Sequence, residues 1–326
     1  MSGARVPGVT DSPVGKSPTG GRDGERVIAM ERDGEVFGAR DRLGRLAGVT
    51  VAVPDPDATA AFLSDGIGFS LHREGDGRIA VRCDGDYGPH GQTAIVLEPS
   101  GGGPLQLRAV TWEAGPGYDF AALAERARAA GAAPAPTAAG GLAFADPAGL
   151  PLVVEPSAAL AFPTPPPGPV GPRRLGHVNL KSDRPAATAG FFGDVLGLKL
   201  SEQIGDGLFF MRVATEHHNL GVRPGPRGEL HHLGCELAGW QCYQPILDRL
   251  AAHGWKVEYG PGRHGPGRNL FTYVVDPASG LRVELFADMA HIADEASYVP
   301  PRWEAGDRMT KTINTWGPTP PETFLA

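Results

Sequence analysis

The chain has 326 residues, 41% of them hydrophobic and 21% charged, with a formal net charge of -7. That length exceeds a single small module and suits two domains, each with its own core, while an acidic balance without a basic stripe argues against a nucleic-acid binder. The apolar runs fall short of the roughly 18 residues a membrane helix needs, and no signal-peptide core occupies the first thirty residues, so a cytoplasmic location is expected.

In chain order, residues 1–43 are rich in Gly, Ser, Pro and charge and read as a flexible extension, with hairpin-forming pieces around Asp33-Gly34. A first domain is expected over 44–156. It opens with a strand ending at Val53, a helix starting at Asp55-Pro56, and strands around Ile79–Val81 and Thr93–Leu97. A second unit repeats this plan: a strand to Trp112, an Ala-rich helix from about Tyr118 to Ala130, and a strand pair ending at Val154. Residues 157–173 carry a proline cluster that cannot enter a sheet interior and read as a linker. The pattern then restarts over 174–290, with a strand at Leu175–Leu180, a helix at Pro185–Val195, strands near Leu208–Val213 and His218–Val222, and a fourth unit from Leu230 to Glu284. Residues 291–326 form a C-terminal tail. Four serial βαβββ modules imply internal duplication and an α+β fold of two tandem barrel-like domains. Cys83, Cys235 and Cys242 are too few and too irregularly spaced for a disulfide scaffold and read as reduced, buried thiols.

The second half carries polar residues inside strand-like apolar runs: His177 in Gly-His-Val-Asn-Leu, the pair His231-His232 in Leu-His-His-Leu, and Glu284 in Val-Glu-Leu. Burying an ionised carboxylate without a counter-charge is very costly, and two neutral imidazoles with one carboxylate form a facial triad for a divalent metal. Adjacent strand residues face opposite ways, so only one of His231 and His232 is expected to look inward. Aligned by their own landmarks, Gly48 with Gly176, Leu107 with Leu230 and Asp146-Pro147 with Asp276-Pro277, the halves differ at all three ligand positions. Val49 stands in the place of His177, Ala109 opposite His232 and Val153 opposite Glu284. Only the second half is expected to hold a metal.

Leu230-His231-His232-Leu233, Gly262-Arg263-His264-Gly265, Tyr273-x-x-Asp276-Pro277 and Val283-Glu284-Leu285 together resemble the type I extradiol ring-cleaving dioxygenases of the vicinal oxygen chelate superfamily, over residues 44–320. The resemblance implies a non-haem Fe(II), or Mn(II), held by His177, His232 and Glu284 in the second domain. It implies catalytic roles for His218, His264 and Tyr273, a catechol-type substrate, O2 as the second reactant, a ring-opened semialdehyde or ketone product, and a homo-oligomer. Asn179, Phe210 and Tyr259 are the expected substrate-binding residues. Tyr259 stands where some members acting on carboxylated catechols have an arginine, and Phe210 offers an aromatic wall. Asn314-Thr315-Trp316-Gly317 resembles a C-terminal lid, with Arg302 or Arg308 as candidates to meet an anionic substituent. The alternatives are a 4-hydroxyphenylpyruvate dioxygenase-like iron enzyme, whose Gly-rich C-terminal helix signature is not found here, and a metal-free binding protein of the bleomycin-resistance type.

Overall fold

The computed structural model describes residues 43–83, 92–156 and 170–325. The extension expected before residue 43 and the proline cluster of the expected linker lie outside the described residues.

Two sheets account for the two halves. The first contains β1 (Leu43–Val53), β2 (Ser70–Arg73), β3 (Ile79–Cys83), β4 (Gln92–Pro99), β5 (Gln106–Ala114), β6 (Ala135–Pro136), β7 (Leu142–Ala145) and β8 (Pro151–Pro156), in the order β2-β3-β4-β1-β5-β8-β7-β6. The second contains β9 (Arg174–Ser182), β10 (Lys199–Ile204), β11 (Leu208–Arg212), β12 (Leu220–Pro224), β13 (Leu230–Glu236), β14 (Val257–Arg263), β15 (Leu270–Val275) and β16 (Arg282–Ala287), and gains β17 (Arg302–Trp303) from the tail. Its order is β14-β15-β16-β13-β9-β12-β11-β10-β17. In each sheet the opening strand lies parallel to the last strand of its own module and antiparallel to the first strand of the next, β1 between β4 and β5 and β9 between β12 and β13. The duplication expected from the sequence is therefore a repeat of topology.

Each module carries one crossover helix: α1 (Pro56–Ala61), α2 (Phe120–Ala129), α3 (Pro185–Leu196) and α4 (Tyr243–Ala252). The start signals act locally. Asp55 accepts from the amide of Ala58 at 3.0 Å with Pro56 in the first turn, and Asp119 accepts from Ala122 at 2.9 Å. Gly197 ends α3 at φ 74°, a left-handed conformation that costs a glycine little.

The helices also join the halves. Trp112 and Phe144 of the first half pack against Phe192 and Phe191 of α3, and Arg126 of α2 donates to the Val195 carbonyl at 3.0 Å. On the other side Arg249 of α4 donates to the carbonyls of Ile67 and Val170. Asp276 is buried there and accepts from the Thr59 hydroxyl at 2.7 Å, so the Asp-Pro motif of the second half fastens the first. Cys83, Cys235 and Cys242 are buried and form no disulfide among the described residues. No described helix is long and apolar enough to cross a membrane.

Candidate metal centre and catalytic pocket

His177, His232 and Glu284 come from three adjacent central strands, β9, β13 and β16. The register explains why they converge. Gly234 of β13 pairs with His177 on one side and with Glu284 on the other, and His232 lies two residues before Gly234. A side chain at Gly234 would occupy the space of the His177 ring, since a Cβ built there falls 2.1 Å from His177 Cε1. The glycine is what lets the imidazole lie across the strand.

His177 Nε2 stands 2.9 Å from Glu284 Oε2, His232 Nε2 stands 3.1 Å from the same oxygen, and the two nitrogens are 3.3 Å apart. Two nitrogens and a carboxylate oxygen at about 3 Å from one another match one face of an octahedron with bonds of about 2.1 Å, and this donor set suits Fe(II) or Mn(II). All three side chains are buried. Burial is the largest influence on the Glu284 carboxyl and opposes its charge, but His177 and His232 outweigh it and hold the group well below the usual carboxylate range. For His232 burial dominates and brings the imidazole down to about 3, so it is neutral and its lone pair is available. The residues present fit a divalent metal.

A second ring of polar groups surrounds this triad. Asn269 Nδ2 donates to Glu284 Oε1 at 2.8 Å, and the Tyr273 hydroxyl donates to Oε2 at 2.9 Å. The same hydroxyl lies 3.0 Å from His264 Nε2, while His264 Nδ1 donates to the Ile313 carbonyl at 2.5 Å. With its proton fixed on Nδ1, a neutral His264 is left with an accepting Nε2, and burial keeps it neutral by lowering its pKa. The Tyr273 phenol is pushed well above 10, first by burial and then by Glu284, and so remains a donor. His218 lies tilted against His177 with ring centroids 4.5 Å apart, and burial drives its pKa well below the ordinary value. Its Nδ1 meets Nδ1 of His217 at 3.0 Å, so Nε2 is the nitrogen outside that contact.

These groups line one cavity. Asn179, Phe210, His218, His232, His264, Tyr273 and Glu284 contribute to its wall, together with Ile204, Leu208, Arg223, Pro266, Thr312, Ile313 and Phe324. The Asn179 amide oxygen is buried without a hydrogen-bond partner among the described residues. Tyr259, expected to bind substrate, does not line the cavity. Its strand β14 is the edge of the sheet, so its ring stacks behind Tyr273 at 6.2 Å and its hydroxyl donates to the Pro318 carbonyl at 2.8 Å. Of the tail arginines, Arg302 is exposed, pairs with Asp206 and does not line the cavity, and the Arg308 side chain lies outside what is described.

Among the described residues the first half has no such constellation, but the matching register moves one expectation. Thr111 pairs with Gly48 and with Val153, as Gly234 pairs with His177 and with Glu284. The equivalent of His177 is therefore Gly48, and Val49 matches the core residue Val178. The Gly-x-x landmark of the two strands is offset by one residue. Gly48, Ala109 and Val153 offer no ligand. Glu155, two residues on, is bound by the Thr137 hydroxyl at 2.8 Å.

Residues 174–285 match the Glyoxalase/Bleomycin resistance protein/Dioxygenase superfamily. A 2,2',3-trihydroxybiphenyl dioxygenase from Sphingomonas paucimobilis is 32% identical over 256 residues, 68% of this chain and 80% of that one. The chain belongs to the extradiol dioxygenase family. It spans less than half the length of several other curated relatives it matches. Among them is a manganese-dependent 2,3-dihydroxybiphenyl 1,2-dioxygenase from Geobacillus genomosp. 3, 33% identical over 41% of this chain and 45% of that protein. The Mn(II)-bound glyoxalase from Novosphingobium aromaticivorans superposes with a TM-score of 0.76 at 25% identity, covering 86% of this chain and 94% of the other.

Several residues of the site in this family member escaped the sequence reading. Asn269 immediately precedes β15, four residues before Tyr273, and Tyr273 pairs directly with Glu284, so period-two counting back from Tyr273 would have found it. Phe286 packs on His177 with centroids 5.0 Å apart, and Gly176 makes room for that ring. Arg223 and Phe324 gave no local signal.

Proposed function

We propose that this protein cleaves the ring of a catechol-type aromatic diol with O2 in the extradiol position, at an Fe(II) or Mn(II) centre held by His177, His232 and Glu284. The observation that carries the reading is their convergence on one buried point, 2.9 to 3.3 Å apart, at a cavity also lined by His218, His264 and Tyr273. On this reading residues 44–156 are a metal-free domain, 174–290 the catalytic domain, and 291–326 the tail that closes over it. A cytoplasmic homo-oligomer belongs to the same proposal.

The chemistry a bound Fe(II) or Mn(II) supplies is electron transfer between a catecholate and O2 held in contact. The side chains do the rest. Asn179 offers its unpartnered amide oxygen to a substrate hydroxyl. Neutral His218 takes or returns a proton through Nε2 on the side of the cavity where it stands, a step suited to imidazole. Tyr273 has two acceptors within reach, Glu284 Oε2 and His264 Nε2. When Glu284 Oε2 is committed elsewhere, the hydroxyl turns to His264, and together they hold a hydrogen bond or a proton at a substrate oxygen. Phe210, Ile204, Leu208, Ile313 and Phe324 exclude water and favour an apolar substituent. Arg223 also lines the cavity, with its guanidinium against His231 and the Leu325 carbonyl.

The test is an oxygen-uptake and absorbance screen of Fe(II)-loaded protein against catechol and its alkyl, aryl and carboxylated derivatives. Yellow ring-opened products are expected, with apolar-substituted catechols preferred. Absence of oxygen uptake with every catechol, in protein shown to contain Fe(II), would overturn the activity. Release of CO2 from an added 2-oxo acid would favour the 4-hydroxyphenylpyruvate dioxygenase-like reading instead.

A further inference from the structure

His177 and His232 differ in how their second nitrogen is supported. His177 Nδ1 is buried with no hydrogen-bond partner among the described residues, and its ring is held by shape, against Phe286 and over Gly234. His232 Nδ1 instead lies 2.7 Å from Nδ1 of His231. Two consecutive strand residues meet in this way because β13 is bulged between Leu230 and His232, which breaks the alternation of faces; both rings are buried. On its far side, His231 Nε2 lies 2.8 Å from the carbonyl oxygen of Phe324, in the short C-terminal helix α5 (Glu322–Leu325), and it also contacts Arg223 Nη1. The Phe324 ring in turn packs on Tyr273 at 4.6 Å and forms part of the cavity wall.

Proton positions along this chain are linked. A neutral imidazole that binds a cation through Nε2 carries its proton on Nδ1. For His232 that proton must be donated to His231 Nδ1, so the proton of His231 resides on Nε2 and is donated to the Phe324 carbonyl. With the opposite tautomers, His231 donates to His232, its Nε2 accepts from Arg223, and Phe324 has no donor there. The first arrangement serves both the metal and the C-terminal turn and requires Arg223, a donor only, to give up His231 Nε2; the second keeps the Arg223 contact and serves neither.

We propose that His231 is a positioning residue that fixes His232 in its metal-binding tautomer and couples metal binding to docking of the turn at Glu322–Leu325. The inference rests on the reading of His232 as a metal ligand. Coupling of this kind is reciprocal: metal stabilises the docked turn by the factor by which the docked turn tightens metal. The consequence for function is that metal binding favours the docked position of Phe324 in the wall of the substrate cavity.

The experiment measures Mn(II) affinity of the full chain by electron paramagnetic resonance, together with hydrogen exchange at residues 322–325 with and without Mn(II). Two substitutions separate the halves of the contact. His231→Asn keeps an acceptor near the level of Nδ1 but cannot reach Phe324. His231→Gln keeps a donor near the level of Nε2 but offers no acceptor to His232. In the wild-type protein Mn(II) is expected to slow exchange at Phe324 and Leu325. His231→Asn should retain most of the affinity and lose that protection, and His231→Gln should bind Mn(II) about 10- to 100-fold more weakly. Removal of residues 322–326 should weaken Mn(II) several-fold while leaving β13 intact. Wild-type affinity in His231→Gln, or exchange at 322–325 indifferent to Mn(II), would overturn the coupling. A wild-type chain that takes up neither Mn(II) nor Fe(II) would instead remove the metal-site reading, and the inference with it.

Discussion

Replacement of Gly234 by alanine isolates the geometric demand of the metal site. The residue sits between His177 and Glu284 in the sheet, and the built Cβ lies 2.1 Å from Cε1 and 2.3 Å from both ring nitrogens of His177, with all three nearest atoms on that one ring. Ordinary contact begins near 3.4 Å, so the imidazole must retreat by about 1.3 Å. Metal–ligand distances tolerate only about 0.2 Å, so a displacement of this size removes His177 from the donor set, whereas overpacking costs the fold only about 1–3 kcal/mol. Gly234→Ala should therefore fold, by circular dichroism, and bind Mn(II) at least about 100-fold more weakly in a calorimetric titration, more than loss of a supporting contact costs. Gly190→Ala in α3, where a Cβ meets nothing within 4 Å, serves as the control and should bind normally. Wild-type Mn(II) affinity in Gly234→Ala would refute the placement of His177 in the site.

Two further outcomes follow from the surrounding residues. His218→Phe should retain metal and catechol binding but slow the reaction with oxygen by about 10²- to 10⁴-fold in stopped-flow measurements, because only the proton-handling imidazole is lost; unchanged oxygen kinetics would leave His218 a structural residue. The metal-free protein should lose stability in acid. His218, His231 and His232 all have proton affinities lowered first by burial, His232 to about 3, so below about pH 6.5 the unfolded chain binds protons that the fold refuses. The loss is up to about 1.4 kcal/mol per pH unit for each imidazole, and it is absent above pH 6.5. Urea midpoints at pH 7.5, 6.5 and 5.5 report it directly, and an unchanged midpoint between 7.5 and 5.5 would contradict buried neutral imidazoles.

The sequence by itself determined the modular plan and the kinds of residue at the site. Strand-length apolar runs, Asp and Pro at helix starts and glycine after α3 act within a few residues of themselves, so four modules are legible without tertiary information. A histidine or glutamate inside such a run stands out because an ordinary core strand would not carry it. What only the tertiary structure decided depends on strand phase and on contacts between distant segments. Alternation of faces assumes an unbroken strand, and at the register shift in β13 the rings of His231 and His232 meet where alternation would send them to opposite faces. The same dependence on phase places Gly48, one residue before Val49, opposite His177's position in the first half. Tyr259 shares the face of its partner Tyr273 but lies one strand further out, on the edge strand β14, so it stacks behind Tyr273 and does not reach the cavity; strand order is not written in local pattern. Phe324 reaches His231 across 93 residues, through a carbonyl oxygen that every residue possesses. Its meaning arises only when folding brings it to an imidazole.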